Sequence, residues 1–190
     1  LQETQLSSQP IFDGDVLHIY KDTVRLPNGK TSTREYTVHH GAVCILPLLE
    51  NGDVLLERQF RYAMGEVLTE IPAGKLDYIG EDPREAALRE LREETGVEPA
   101  GRDGVEFDHV GQFYSSEGMT DELANIMVLH LHAWHPVERH FDGDEHVESA
   151  WVSWQRLRGT RITASNSMIA ILHEQIRRNR QNTGKSSFES

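Results

Sequence analysis

Glu90, Glu93 and Glu94 stand at the spacing i, i+3, i+4. On a helix, that spacing puts three carboxylates on one face within reach of one another. The surrounding residues predict such a helix. Asp82 suits the N-cap and Pro83 the first helical position, where a missing N–H costs nothing. Ala86, Ala87, Leu88 and Leu91 form an apolar stripe, and Gly96 suits the residue just past the end. Three like charges side by side repel. Arg89 and Arg92 relieve part of that repulsion, Arg89 being within reach of Glu85 or Glu93. A divalent cation would give the cluster a further physical reason. Oxygen-only donors suit Mg²⁺ or Mn²⁺, and such ions are commonly shared with substrate phosphates. Taken alone, the three carboxylates read equally well as the solvated face of a charged surface helix.

The chain that must position this helix has 190 residues, enough for one domain with a proper core, alone or with a small accessory piece. Its formal net charge of −12 argues against a general binder of nucleic acid or of an anionic membrane. It leaves room for a phosphate-bearing substrate, because a bound cation inverts the local field. The single cysteine, Cys44, excludes an intrachain disulfide framework and fits a reducing compartment. It lies in an apolar run and reads as inert core. Residues 1–10 are polar and show no leader pattern, and the longest apolar run, residues 41–49, is far short of the ~20 residues that span a bilayer. The expectation is a soluble, cytoplasmic protein with no membrane or nucleic-acid partner.

Residues 1–10 read as a loose tail. Residues 15–26 alternate as a strand, Pro27-Asn28-Gly29-Lys30 marks a tight turn, and 33–39 read as the returning strand. A small antiparallel sheet of two or three strands therefore precedes the main core. Residues 41–49 and 54–62 are strands around the turn Glu50-Asn51-Gly52-Asp53. After the carboxylate helix come a loop at 99–104, a strand at 105–114, a polar loop at 115–122 and a strongly apolar strand at 125–134. An acidic loop follows at 141–148, then a short strand at 150–154. Residues 165–178 read as a helix with Ile169, Ala170, Leu172 and Ile176 on its apolar side, and 181–190 as a disordered tail. Mixed strands with one central and one C-terminal helix imply an α/β sandwich.

Other features carry less. Arg58 and Arg61 stand out in an acidic chain, either as surface charge on a strand or as contacts to phosphate or base. Ala73-Gly74-Lys75 lacks the earlier glycine and the following Ser/Thr of a phosphate-binding loop. His130, His132 and His135 have no cysteine nearby to complete a zinc pattern and read as structural strand residues.

From Glu81 onward the chain resembles the Nudix box at every fixed position: Glu81, seven residues, Arg89-Glu90, Leu91, Arg92, Glu93-Glu94, Thr95 and Gly96-Val97. It departs from the box at one point, with six residues instead of five between Gly74 and Glu81. The extra residue lengthens the loop ahead of the helix. Within this superfamily the chain is similar to the ADP-ribose pyrophosphatase group through Gly41-Ala42-Val43, residues 54–62, Glu70-Ile71-Pro72-Ala73-Gly74, the loop 114–122, residues 144–148 and Ser165-Asn166-Ser167. The resemblance covers roughly residues 15–175.

That resemblance implies a Nudix α/β/α sandwich with a mixed sheet, plus the small N-terminal antiparallel sheet. It implies a tail and dimerisation piece over 1–40 and a catalytic domain over 41–180. The implied reaction is Mg²⁺-dependent hydrolysis (Mn²⁺ serving as well) of the pyrophosphate of ADP-ribose or a related nucleoside diphosphate sugar by a homodimer. Glu90 and Glu94 would be the main metal ligands, with Glu93 assisting and the Ala73 backbone oxygen completing the site. Arg89 would orient the glutamates. Glu145 is the implied general base, with Glu148 as runner-up and an ordinary acidic loop as the alternative. Arg61 would contact pyrophosphate or terminal ribose and Glu70 a substrate hydroxyl. Arg34 would reach the substrate of the partner subunit, and Gly118 and Met119 of the 114–122 loop would line the substrate site. Glu117 stands where the group usually has proline, which keeps GDP-mannose and other sugars in view as substrates. A catalytically silent nucleotide-binding module would be expected to lose box glutamates, and an RNA-directed enzyme would need a basic path. This chain keeps its glutamates and lacks such a path.

Overall fold

Residues 42–49 and 123–131 are apolar at almost every position, the pattern of strands covered on both faces. In a computed structural model, which describes residues 1–141 and 146–186, they form β4 (Ala42–Leu49) and β10 (Leu123–Leu131) at the centre of a seven-stranded mixed sheet. The two run parallel, in register from Ala42↔Ala124 to Leu49↔Leu131. Around them stand β5 (Val54–Arg61), β9 (Val105–Tyr114) and β12 (Val147–Val152), in the order β12-β5-β4-β10-β9. Two short strands attach to this frame. β6 (Glu66–Glu70) forms a hairpin with β5, and β7 (Ala73–Lys75) pairs with the first residues of β4.

Alternation along these strands feeds two cores. Val43, Ile45, Leu55, Met127, Leu129 and Leu131 meet Ala86, Ala87 and Leu91 of α1 (Pro83–Thr95). Cys44, Leu46, Leu48, Val54, Leu56, Ile126 and Val128 meet Leu157 of α2 (Trp154–Arg158) and Ala170 of α3 (Ser165–Ser186). The result is the expected α/β/α sandwich. On α3, burial alone would raise the pKa of Glu174, but its hydrogen bonds to Arg177 and Arg178 carry it below the usual carboxylate value. Arg178 also stacks on Trp154, 4.0 Å from the ring centroid, and so ties α3 to α2.

A separate three-stranded antiparallel sheet holds β1 (Thr4–Asp13), β2 (His18–Arg25) and β3 (Thr31–Val38). β1 corrects the expectation of a loose tail over 1–10. Its alternation is broken by bulges between Gln5 and Ser7 and between Pro10 and Phe12, so no strand period shows in the sequence. The β2–β3 turn is the expected one, with Gly29 at φ 82° and its N–H bonded to Leu26 O at 2.9 Å. This sheet is stitched to the body at the 115–122 loop. Thr37 N–H donates to Met119 O at 2.9 Å, and His39 N–H to Asp121 Oδ1 at 2.8 Å.

Three further corrections concern boundaries. Residues 65–69 read in the sequence as a turn leading to Glu70, but 66–70 form β6. The strand expected over 125–134 ends at Leu131, and Trp134–Pro136 forms β11 against β8 (Val97–Pro99). The last helix continues past residue 178 to Ser186, into the stretch expected to be disordered.

Candidate active site

Local sequence builds α1 as the spacing predicts. The Asp82 side chain accepts from Arg84 N–H, Pro83 occupies the first turn, and Gly96 closes the helix at φ 69° with its N–H on Arg92 O. The helix buries Glu90 and Glu94, 8% and 4% exposed, rather than presenting them to solvent. That overturns the alternative of a solvated charged face. Buried carboxylates need partners. Glu94 Oε2 accepts from Ala73 N–H at 3.2 Å and Glu90 Oε1 from Arg89 Nη1 at 2.7 Å.

Arg89 organises the cluster. It reaches Glu93 at 3.5 Å, Glu81 at 3.4 Å, Asp77 at 3.4 Å and Lys75 O at 3.2 Å, and it does not take up Glu85. Burial alone would lower its pKa, but the charges of Glu90, Asp77 and Glu81 raise it above the usual guanidinium value, so it stays cationic. The extra residue ahead of the helix is taken up by a turn. Glu81 N–H donates to Tyr78 O at 3.2 Å, Gly80 has φ 91°, and Glu81 Oε2 accepts from Asp77 N–H at 2.7 Å.

β4 pairs with β5 only at Leu48↔Val54, next to the turn, and gives its first residues to β7 instead. A cleft of about 720 Å³ lies beside that split. α1 contributes Arg89, Glu90, Glu93 and Glu94; β7 and its flanks contribute Ala73, Gly74, Lys75 and Asp77; β5 and β6 contribute Arg61 and Glu70. Arg61 Nε donates to Glu70 Oε2 at 2.7 Å. The start of α3 closes one side with Asn166 and Ser167, and Ser167 Oγ accepts from the buried Ile71 N–H at 3.0 Å, fixing the strand that leads into Ala73.

Of the residues expected from sequence, Ala73, Arg89, Glu90, Glu93, Glu94, Arg61 and Glu70 line this one cleft. Gly118, Met119 and Arg34 do not. The first two sit in the exposed 115–122 loop, and Arg34 pairs with Glu3 on the N-terminal sheet. Glu145 lies outside the described residues. Glu148 is on β12, paired with the exposed Arg58 at 3.1 Å and away from the cleft lining. Sequence reading missed Lys75, Asp77, Asn166, Ser167 and His140 as individual lining residues, since none carries a spacing signal of its own. Cys44 also borders the cleft. Burial, then the charges of Glu122, Glu70 and Glu94, push its thiol up to about 12, so it holds its proton.

Among the described residues, no group of three or more His, Cys, Asp or Glu side chains is already gathered as a metal cage. The donor chemistry nevertheless fits a hard divalent cation. Glu90, Glu93 and Glu94 are hard oxygen donors on one helix face, two of them are buried, Ala73 abuts Glu94, and the Gly74 position leaves open a space that a Cβ would fill at 2.0 Å from Glu90 Oε1.

Residues 38–174 match the NUDIX domain, and residues 3–37 match the nucleoside diphosphate sugar hydrolase N-terminal domain. The chain belongs to the Nudix family and is one of its pyrophosphohydrolases. It is 38% identical over 148 residues to the ADP-ribose pyrophosphatase of Bacillus subtilis (strain 168), covering 78% of this chain and 77% of that one. It is 34% identical over 179 residues to the methanol dehydrogenase activator of Bacillus methanolicus, covering 92% and 94%. The crystal structure of an ADP compounds hydrolase shares the fold at a TM-score of 0.78 with 17% identity, over 95% of this chain and 96% of that one.

Proposed function

We propose that this enzyme hydrolyses the pyrophosphate of ADP-ribose or a related nucleoside diphosphate sugar, releasing a nucleoside monophosphate and a sugar phosphate. The observation that carries the reading is the buried Glu90–Glu94 pair set against the Ala73–Gly74 backbone, in a cleft that also holds the Arg61–Glu70 pair. The similarity to an ADP-ribose pyrophosphatase supports the choice of substrate.

Glu90, Glu93, Glu94 and the Ala73 carbonyl would hold Mg²⁺. When bound, the metal supplies charge neutralisation for the bridging and leaving oxygens. The chain's own residues do the rest. Arg89 holds the carboxylates apart from one another and in orientation. Arg61 offers a planar donor to the pyrophosphate or terminal ribose, and Glu70 an acceptor to a hydroxyl. Glu145 is the proposed base that takes the proton of the attacking water. The pairing of Glu148 with Arg58 favours Glu145 over it.

The proposed working unit is a homodimer joined through the N-terminal sheet, with Arg34 reaching the partner's substrate. Exposed Ile11, Phe12 and Leu17 on that sheet, and Phe60, Tyr62 and Met64 on the β5–β6 hairpin, support a covered surface. Light scattering measures it directly.

A Mg²⁺-dependent panel of ADP-ribose, GDP-mannose, UDP-glucose and NADH, with products separated by chromatography, tests the substrate. AMP released fastest from ADP-ribose upholds the reading. Faster turnover of another sugar moves it to that substrate and marks Glu117. No turnover of any refutes it.

The near full-length match to a methanol dehydrogenase activator favours a second reading, stimulation of an alcohol dehydrogenase. Adding the protein to a methanol dehydrogenase assay tests it, and an unchanged rate excludes it.

A further inference from the structure

His140 is a cleft residue that none of the roles above uses. It follows β11 on a stretch lashed to the C-terminal end of α1. Val137 N–H donates to Gly96 O at 2.8 Å, Arg139 Nε to Thr95 O at 3.1 Å, and His140 N–H to Glu93 O at 3.1 Å. The next residue, Phe141, lines a separate pocket with Phe60, Val67 and Val147, among others. The backbone of His140 is therefore held against α1 at Glu93, and the exposed residue stands at the edge of the cleft.

The ring itself is oriented. Nδ1 lies 3.1 Å from Glu138 O. A carbonyl only accepts, so Nδ1 carries the hydrogen, and in the neutral ring Nε2 presents a lone pair. Among the described residues His140 pairs with no carboxylate, whereas the cleft's two arginines are both committed, Arg61 to Glu70 and Arg89 to Glu90. An imidazole that offers an acceptor at the edge of a substrate cleft matches a ligand that brings a hydrogen-bond donor. On a nucleoside diphosphate sugar the abundant donors are sugar hydroxyls, since phosphate oxygens only accept.

We infer that His140 is a further substrate-binding residue, whose Nε2 accepts a hydrogen bond from a sugar hydroxyl of the substrate. The assignment deepens the hydrolase reading above and rests on it for the identity of that ligand. A residue in this role sets affinity and sugar preference and leaves the bond-breaking step alone.

The test compares His140→Ala, His140→Gln and His140→Lys, using the panel's best substrate. Glutamine keeps an acceptor, whereas lysine keeps only donors. Loss of one hydrogen bond predicts a KM about five- to tenfold higher in the alanine and lysine variants, kcat within about twofold, and near-complete rescue by glutamine. A lysine variant that matches wild type, or KM unchanged in all three, overturns the assignment. A second arm needs no turnover. In protein labelled with ¹⁵N-histidine, added ribose 5-phosphate moves the His140 Nε2 resonance upfield, whereas inorganic phosphate does not. An Nε2 signal indifferent to the sugar phosphate overturns the contact. If that signal moves while no substrate is hydrolysed, the hydrolase reading fails and the hydroxyl contact stands.

Discussion

A Cβ on Gly74 would lie 2.0 Å from Oε1 and 2.0 Å from Cδ of Glu90. Gly74 does not have a left-handed φ, so the requirement is steric closeness, not conformational freedom. The atoms in the way are the end of the Glu90 side chain, so it is the carboxylate that must give and not the backbone on either side. Gly74 is paired to Val43 in the sheet, and Glu90 is held by Arg89 on a helix whose Ala86, Ala87 and Leu91 are fully buried.

Gly74→Ala should therefore displace the Glu90 carboxylate while leaving the fold in place. Misplacement on the scale of an ångström costs about 100-fold in rate. Steady-state kinetics should show kcat/KM lower by roughly that factor, with an unchanged far-ultraviolet circular dichroism spectrum.

Glu94→Gln keeps shape and removes charge. The expected result is loss of turnover beyond the roughly 10–100-fold of an outer-shell change, weaker Mn²⁺ binding by electron paramagnetic resonance, and substrate binding largely retained. Turnover equal to wild type would remove Glu94 from the metal site.

Arg89→Lys conserves charge but not geometry. One ammonium cannot span Glu90, Glu93, Glu81 and the Lys75 carbonyl as the guanidinium does. Activity should fall by about 10–100-fold, with much of it recovered at raised Mg²⁺ if the loss is in metal affinity. Kinetics across a Mg²⁺ titration decide.

Ser167→Ala leaves the buried Ile71 N–H without its acceptor. A stranded buried donor costs about 1–3 kcal/mol. Urea unfolding should show a free energy of unfolding lower by that margin, seen as a lower midpoint at unchanged m.

The Cys44 thiol is raised from 9.0 to about 12, so folding holds a proton that the unfolded chain releases. Its contribution to stability is fully present below pH 9.0 and is lost as pH rises toward about 12. Melting temperatures should fall more steeply across that window for wild type than for Cys44→Ala, and iodoacetamide should label Cys44 at neutral pH only after denaturation.

How far the sequence could be read follows from the range of each interaction. The cap, stripe and terminal glycine of α1 act within one helix, and the spacing of Glu90, Glu93 and Glu94 is a property of that helix alone. The central strands were legible because burial on both faces leaves an unbroken apolar run. β1 was not, because its partner β2 alone makes it a strand and its bulges erase the alternation. β6 was missed because its pairing with β5 outweighs the turn signal of Gly65.

By itself, then, the sequence determined that three carboxylates share one helix face, the sandwich class and the family, since each rests on local periodicity or fixed spacing. Only the tertiary structure decided that Glu90 and Glu94 are buried, that Gly74 lies against the Glu90 carboxylate, that Glu148 pairs with Arg58, and that His140 reaches the cleft. Those facts depend on segments far apart in the chain meeting at a few ångströms, and no spacing along one strand or helix encodes such a meeting.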